Sequence, residues 1–145
     1  MKNFYVSIIR RGELCYIRRA LEEFGLNPME GGVIRLLKDH CCSQEALGCA
    51  LDVDKGRIAR TIASLEDKKL VYRVVNDCNH RQKMVSLTEP GNDIYEAICG
   101  IYKSWDDICH KGFSDEEKKL NQEFIKRVSQ NVLDYKKENG GKLNG

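Results

Sequence analysis

The stretch "VYRVVNDCNHRQKMVSLTEPG", residues 71–91, governs how the rest of the chain is read. Two apolar-rich runs, Val71–Val75 and Lys83–Leu87, flank a turn of polar residues, "NDCNHRQ". That is the pattern of a β-hairpin. The second run passes straight into "LTEPG", where Thr88 suits a helix cap and Pro90 is tolerated in a first turn. Arg73, Arg81 and Lys83 make the hairpin cationic. A hairpin of this kind stands out in a chain whose other segments carry a helical period.

Upstream, residues of about 4 to 24 read as a first helix. Ile8, Ile9, Cys15, Tyr16, Ile17 and Leu21 supply its apolar face, Gly12 weakens it and Gly25 stops it. Asn27, Pro28 and Glu30 open a second helix as cap, first residue and capping-box partner. It buries Val33, Leu36 and Leu37 and is expected to end near His40. Ser43 caps a short third helix, "SQEALGCAL", and "DVD" leads to Asp54, the cap of a fourth, "KGRIARTIASLEDKKL". Ile58, Ile62 and Leu65 form the buried stripe of that helix, which leaves Lys55, Arg57, Arg60, Thr61 and Ser64 for its other face. Two short helices so tightly linked make a helix-turn-helix.

A helix-turn-helix followed directly by a hairpin is a winged helix, and the hairpin is the wing. Charges on a hairpin can serve only to keep a sheet edge soluble. Beside a helix that presents Arg57 and Arg60, contact with a polyanion is the better reading. The wing tip is narrow enough to enter a minor groove. Beyond the wing, a fifth helix runs from Thr88 to about Cys109, and a sixth from the Ser114–Glu117 capping box to about Glu138. Ile94, Ile98, Ile101, Trp105 and Ile108 form one seam for helix packing, and Leu120, Phe124, Val128, Val132 and Tyr135 a second. The expected class is mostly α with a small β-hairpin wing, in one domain of 145 residues. Residues of about 28–87 make the winged helix-turn-helix lobe, and those of about 1–25 and 88–138 the dimerisation helices.

Composition narrows the function. The formal charge of +2 is too small to imply nucleic-acid binding by itself; what matters is where the charges sit. No apolar run reaches the roughly 18 residues of a membrane helix, and no signal-peptide cleavage pattern follows the N-terminal apolar patch. Seven cysteines, an odd number with no CxxC pair, fit free thiols in a reducing cytoplasm. There is no Gly-rich phosphate loop, nucleophile elbow or paired motif carboxylate, so no enzyme is expected.

The run "LVYRVVNDCNHRQKMVSLTEPG" resembles the wing signature of the MarR family of transcriptional regulators: an Asp-x-x-Asp-x-Arg turn, a strand, then Leu-Thr-x-x-Gly. Arg81 falls on the wing arginine, and Leu87, Thr88 and Gly91 on the strand-to-helix junction. Upstream, "SQEALGCALDVDKGRIARTIASLEDKKLV" resembles the family's helix-turn-helix, with Arg60 on the recognition-helix arginine. Asn76 and Asn79 depart from the aspartates of the pattern, so Arg81 loses a charged partner. Lys69 replaces a glycine in a position that often ends a helix left-handed.

The resemblance implies a homodimeric repressor on a pseudopalindromic operator in double-stranded DNA, released by a small aromatic or phenolic effector. The DNA-facing set is then Ser43, Gln44, Lys55, Arg57, Arg60, Thr61, Ser64, Arg73, Asn79, Arg81 and Lys83. Tyr5, Arg11, Tyr16 and Arg18 suit an aromatic carboxylate. A winged helix used only for protein binding, and a redox-sensing regulator, are the alternatives. Cys15 lies in the first helix but nearer to Asn27-Pro28 than in the family's peroxide sensors. Glu30 could match a zinc ligand of other members, yet Gly31 follows where a histidine is wanted. His40, Cys41 and Cys42 with Cys109 and His110 could in principle meet at a metal, but adjacent side chains chelate poorly. No metal or cofactor is expected.

Overall fold

A computed structural model describes residues 4–75, 78, 79 and 81–140. Its elements are α1 (Tyr5–Glu22), α2 (Pro28–Leu36), β1 (Cys42–Ser43), α3 (Gln44–Leu51), α4 (Lys55–Asp67), β2 (Val71–Val75), β3 (Lys83–Leu87), α5 (Glu89–Cys109) and α6 (Asp115–Glu138). This is the mostly helical winged architecture expected, with both wing strands where the hairpin pattern put them. The chain divides into two compact units, Met1–Asp106 and Asp107–Gly145.

The first unit is built on one core. Ile17 and Leu21 of α1, Val33 and Ile34 of α2, Leu47 of α3, and Ile58, Ile62 and Leu65 of α4 meet Val71, Val85 and Leu87 of the sheet and Ile98 of α5, all buried. The i, i+4, i+7 stripe on α4 is the part of the sequence that dictates this face. The sheet has the order β1-β3-β2 and is antiparallel throughout. Val71 pairs with Leu87 and Val75 with Lys83, and Cys42 and Ser43 pair with Val85 and Met84.

Helix ends explain most of the chain's course. Asn27 and Glu30 complete a capping box, and Ser114 and Glu117 another. The hydrogen bonds from Ser114 hold the Glu117 carboxyl below its usual value. α1 and α4 end in the same way. At α1, Gly25 is left-handed (φ 66°), and the N–H groups of Gly25 and Leu26 donate to the carbonyls of Glu22 and Leu21. At α4, Lys69 is left-handed (φ 63°), and the N–H groups of Lys69 and Leu70 donate to Glu66 and Leu65. Both are Schellman closures. In α4 a lysine occupies the position a glycine takes in α1.

Three expectations are corrected. α2 stops at Leu36, short of His40: Leu37 leaves helical geometry and Asp39 is left-handed (φ 55°). β1 was not foreseen; its two residues pair with β3 immediately before Ser43 caps α3. The α5 seam is largely internal to the chain. Ile98 is buried, Ile94, Ile101 and Trp105 pack against the core, and Trp105 stacks on Tyr16 at 5.4 Å between ring centres. Gly12 lets it do so: a Cβ there would sit 3.1 Å from the Trp105 ring. In the second unit, α6 buries none of its side chains.

Candidate nucleic-acid interface

α3 and α4 are joined by two tight caps. Asp52 is left-handed (φ 54°), and Val53 N–H donates to the Gly48 carbonyl at 3.0 Å. Asp54 then accepts from Arg57 N–H at 2.8 Å and starts α4. With Ile58, Ile62 and Leu65 inward, the opposite side of α4 presents Lys55, Gly56, Arg57, Arg60, Ala63 and Asp67 to solvent. The small residues leave the helix surface low between the cations. Arg60 uses that space, because a Cβ on Gly56 would lie 3.1 Å from an Arg60 terminal nitrogen and 3.3 Å from Asp54 Oδ1. The arginine therefore lies back over the first turn of its own helix.

The wing is held against this helix at its base. Arg73 Nε donates to Glu66 Oε1 at 2.6 Å, and its Nη1 donates to Gln44 Oε1 at 3.2 Å. One guanidinium thus brackets β2 to α4 and α3. At the other end Thr88 Oγ1 donates to the Lys69 carbonyl at 2.6 Å and accepts from Gly91 N–H at 3.1 Å. Thr88 N–H donates to the Leu70 carbonyl at 3.0 Å. Gly91 is obligatory here, since a Cβ would fall 2.1 Å from the Leu70 carbonyl oxygen. Towards the tip, Arg81 and Lys83 are exposed. Asn79 Oδ1 accepts from the backbone N–H of Arg81 at 3.1 Å, and Gln82 N–H donates to the Asn79 carbonyl at 3.0 Å.

A cationic helix face beside a cationic hairpin is a generic arrangement until chain order and length are matched to known proteins. The sequence profile of the MarR family matches residues 24–82, the span from the end of α1 to the wing tip. A MarR transcriptional regulator from Methanosarcina mazei superposes with a TM-score of 0.81 at 26% identity, over 90% of this chain and 94% of that one. The chain is similar to MarR-family regulators over these spans. The proteins it matches are transcriptional regulators. The HTH-type transcriptional regulator BilQ of Clostridioides difficile is 25% identical over 127 residues, covering 87% of this chain and 84% of that protein. A MarR-family regulator of Listeria monocytogenes, solved with a 26mer DNA, shares the fold at a TM-score of 0.85, with 24% identity and coverage of 92% and 91%.

Against the MarR pattern, the expected DNA-facing residues divide into two groups. Lys55, Arg57, Arg60, Arg81 and Lys83 are exposed on α4 and the wing. The others also hydrogen-bond within the protein, Arg73 and Asn79 while exposed. Ser43 is buried and its hydroxyl caps α3, accepting from Ala46 N–H at 3.0 Å. Thr61 is buried, and its hydroxyl donates to the Arg57 carbonyl at 2.9 Å. Ser64 donates to Glu30 Oε2 at 3.0 Å. Gln44 and Arg73 are bonded to each other. Asn79 shapes the wing turn by accepting from the Arg81 backbone N–H. Asn76 lies outside the described residues. The unforeseen members of the site are Gly56 and Ala63, whose signal was small size on an otherwise cationic face, and Glu66, whose signal was absent because its partner is on another element.

The proposed effector set does not converge. On a helix of 3.6 residues per turn, Arg11 and Arg18 share one stripe of α1 and Tyr5 and Tyr16 another, roughly 140° away. Tyr16 is packed on Trp105. A cavity of about 300 Å³ lies elsewhere, lined by Leu37, Asp39, His40, Cys41, Ser86, Leu87 and Asn92. Among the described residues no group of three or more His, Cys, Asp or Glu is placed to hold a metal. His110 instead pairs with Asn121 at 3.0 Å and sets its ring edge-on to Phe113. None of the seven cysteines forms a disulfide. Burial, and then the neighbouring Cys41, push the Cys42 thiol up, and its Sγ donates to the Leu36 carbonyl at 3.6 Å. That is the environment of an inert thiol, not of a reactive one. No helix among the described residues is long and apolar enough to cross a membrane.

Proposed function

We propose that the protein is a cytoplasmic, homodimeric repressor that binds a pseudopalindromic site in double-stranded DNA. The observation that carries this reading is the exposed row Lys55, Arg57 and Arg60 on α4, flanked by the exposed Arg81 and Lys83 of the wing. Arginines on a helix that fits the major groove can read guanine edges in bidentate fashion. Cations on a hairpin beside it meet phosphates or the minor groove. The regulator of Listeria monocytogenes with the same fold was solved on DNA, which agrees with this use of the lobe.

The dimer is supported by the surfaces the chain leaves in water. Leu120, Phe124, Ile125, Val128, Val132 and Tyr135 of α6 are each at least 50% exposed. Phe4, Tyr5, Val6, Ile8 and Ile9 at the start of the chain are also exposed. Apolar stripes of this extent on a soluble protein mark an interface. A two-fold dimer presents two recognition helices and so selects an inverted repeat. Bulk on a promoter excludes polymerase, which makes repression the reading adopted. A small aromatic or phenolic effector would act by biasing the spacing of the two lobes.

Electrophoretic mobility shift with DNA from upstream of the protein's own gene tests this. The expected result is a retarded complex that random DNA competes poorly and that an aromatic acid releases. Equal competition by random DNA would leave the cationic face without a sequence-reading role.

A further inference from the structure

α4 is tied to α2 through one buried carboxylate. Glu30 is 1% exposed. Its Oε1 accepts from Asn27 N–H at 3.0 Å, completing the capping box of α2. Its Oε2 accepts from Ser64 Oγ at 3.0 Å, and Lys68 Nζ donates to both oxygens at 2.9 and 2.7 Å. Lys68 Nζ also reaches the Gly25 carbonyl at 2.8 Å, where α1 ends. Ser64 and Lys68 are one turn apart on the same side of α4. Two points of that helix are thus fastened to a single group.

Stability does not explain this arrangement. Removing a carboxylate from water is strongly unfavourable, and an apolar pair packed in the same space commonly stabilises a fold as well or better. What apolar packing lacks is direction. Hydrogen bonds weaken steeply with misalignment, so they resist rotation and sliding of a helix. Around the axis of α4, Ser64 falls between Arg57 and Arg60, and it lies one turn beyond Arg60. A pin at Ser64 therefore acts on the sector that carries both arginines. Functional side chains must be held to within about 0.5 Å and 10–20° to work.

We propose that Glu30 is a positioning residue for sequence reading, which, through Ser64 and Lys68, sets the rotation of α4 and hence the aim of Arg57 and Arg60. This rests on α4 being the helix that enters DNA. Glu30 itself touches no base: it is buried, and its oxygens face Asn27, Ser64 and Lys68. Its contribution is to selectivity, with little effect on the charge attraction that drives non-specific binding.

The test uses a duplex enriched by the wild-type protein from a random-sequence pool, together with a scrambled duplex of the same length. Affinities for both are measured for wild type, Glu30→Gln, Ser64→Ala and the double variant, well below each melting temperature. Glu30→Gln keeps one oxygen for the Asn27 cap and replaces the oxygen that Ser64 and Lys68 share. It is expected to lose about tenfold of the preference for the enriched duplex, while scrambled-duplex affinity and salt slope stay at the wild-type level. A merely structural role would lower both affinities together. Ser64→Ala should lose less, and in the Glu30→Gln background it should add nothing, because both act through one contact. Wild-type preference in Glu30→Gln overturns the proposal. So do losses that multiply in the double variant, which would mean that Ser64 reads DNA directly. If Glu30→Gln does not fold, Ser64→Ala with Lys68→Met, which leaves the capping box intact, is judged on the same preference ratio: a loss supports the proposal and an unchanged ratio overturns it. A wild-type protein that enriches no duplex overturns the DNA-binding reading, and this proposal with it.

Discussion

Arg60 can lie over the first turn of α4 because residue 56 has no side chain. That folded-back pose keeps the guanidinium near the helix start, where it is ready to extend into a groove. Replacing Arg60 by Ala should cost about 1–3 kcal/mol of discrimination between an enriched and a scrambled duplex, read by fluorescence anisotropy; unchanged discrimination would remove α4 from the interface. Arg81→Ala should behave differently. It removes a charge from the wing of each subunit, so affinity should fall for every sequence and the salt slope should flatten by about two, one contact per subunit. An unchanged slope would mean that the wing does not touch phosphate. The five exposed cations were legible in the sequence because they lie outside the buried stripe of α4 or past the hairpin turn. The roles of Thr61, Ser64, Gln44 and Arg73 were not. Each also bonds to a carbonyl or side chain of its own chain, Arg73 while remaining exposed. Contacts such as Ser64 to Glu30 and Arg73 to Gln44 join residues far apart in sequence, and no local pattern encodes them.

Helix caps and one close approach carry the element scale. Lys69 closes α4 in the left-handed conformation that Gly25 adopts after α1. A side chain there is strained against its own backbone, so Lys69→Gly should stabilise the protein by roughly 0.5–1 kcal/mol net of the entropy glycine adds to the unfolded chain. Urea denaturation measures it, and a loss of stability would mean that the lysine makes a compensating contact. Gly91→Ala should act in the opposite sense. The new methyl would meet the Leu70 carbonyl oxygen, so the junction of α4, β2 and α5 must shift, with a loss of about 2 kcal/mol or more. Wild-type stability in that variant would contradict the junction geometry. Capping residues made most elements readable: Asn27, Ser43, Asp54 and Ser114 each start the helix expected of them. β1 was invisible because two residues carry no alternation, and the end of α2 because Asp39 gives no glycine signal for its left-handed turn.

For the whole molecule, periodicity showed two apolar seams without saying which one the chain itself would cover. α5 turned inward, with Ile98 fully buried and Trp105 on Tyr16. α6 kept its seam exposed, with Val128 at 62% and Phe124 at 53%. The dimer claim therefore leans on α6 and the start of α1. Phe124→Glu with Val128→Glu places charges in that seam and should yield a folded monomer by light scattering, with DNA affinity reduced at least about a hundredfold through lost avidity; a variant that stays dimeric would move the interface elsewhere. The claim that joins lobe, wing and dimer is most directly tested by selecting duplexes from a random-sequence pool with the wild-type protein at low salt and sequencing them. The account predicts enrichment of an inverted repeat whose half-site centres lie one helical turn apart, about 10–10.5 base pairs. Enrichment of a single unrepeated site, or of no sequence at all, would contradict it.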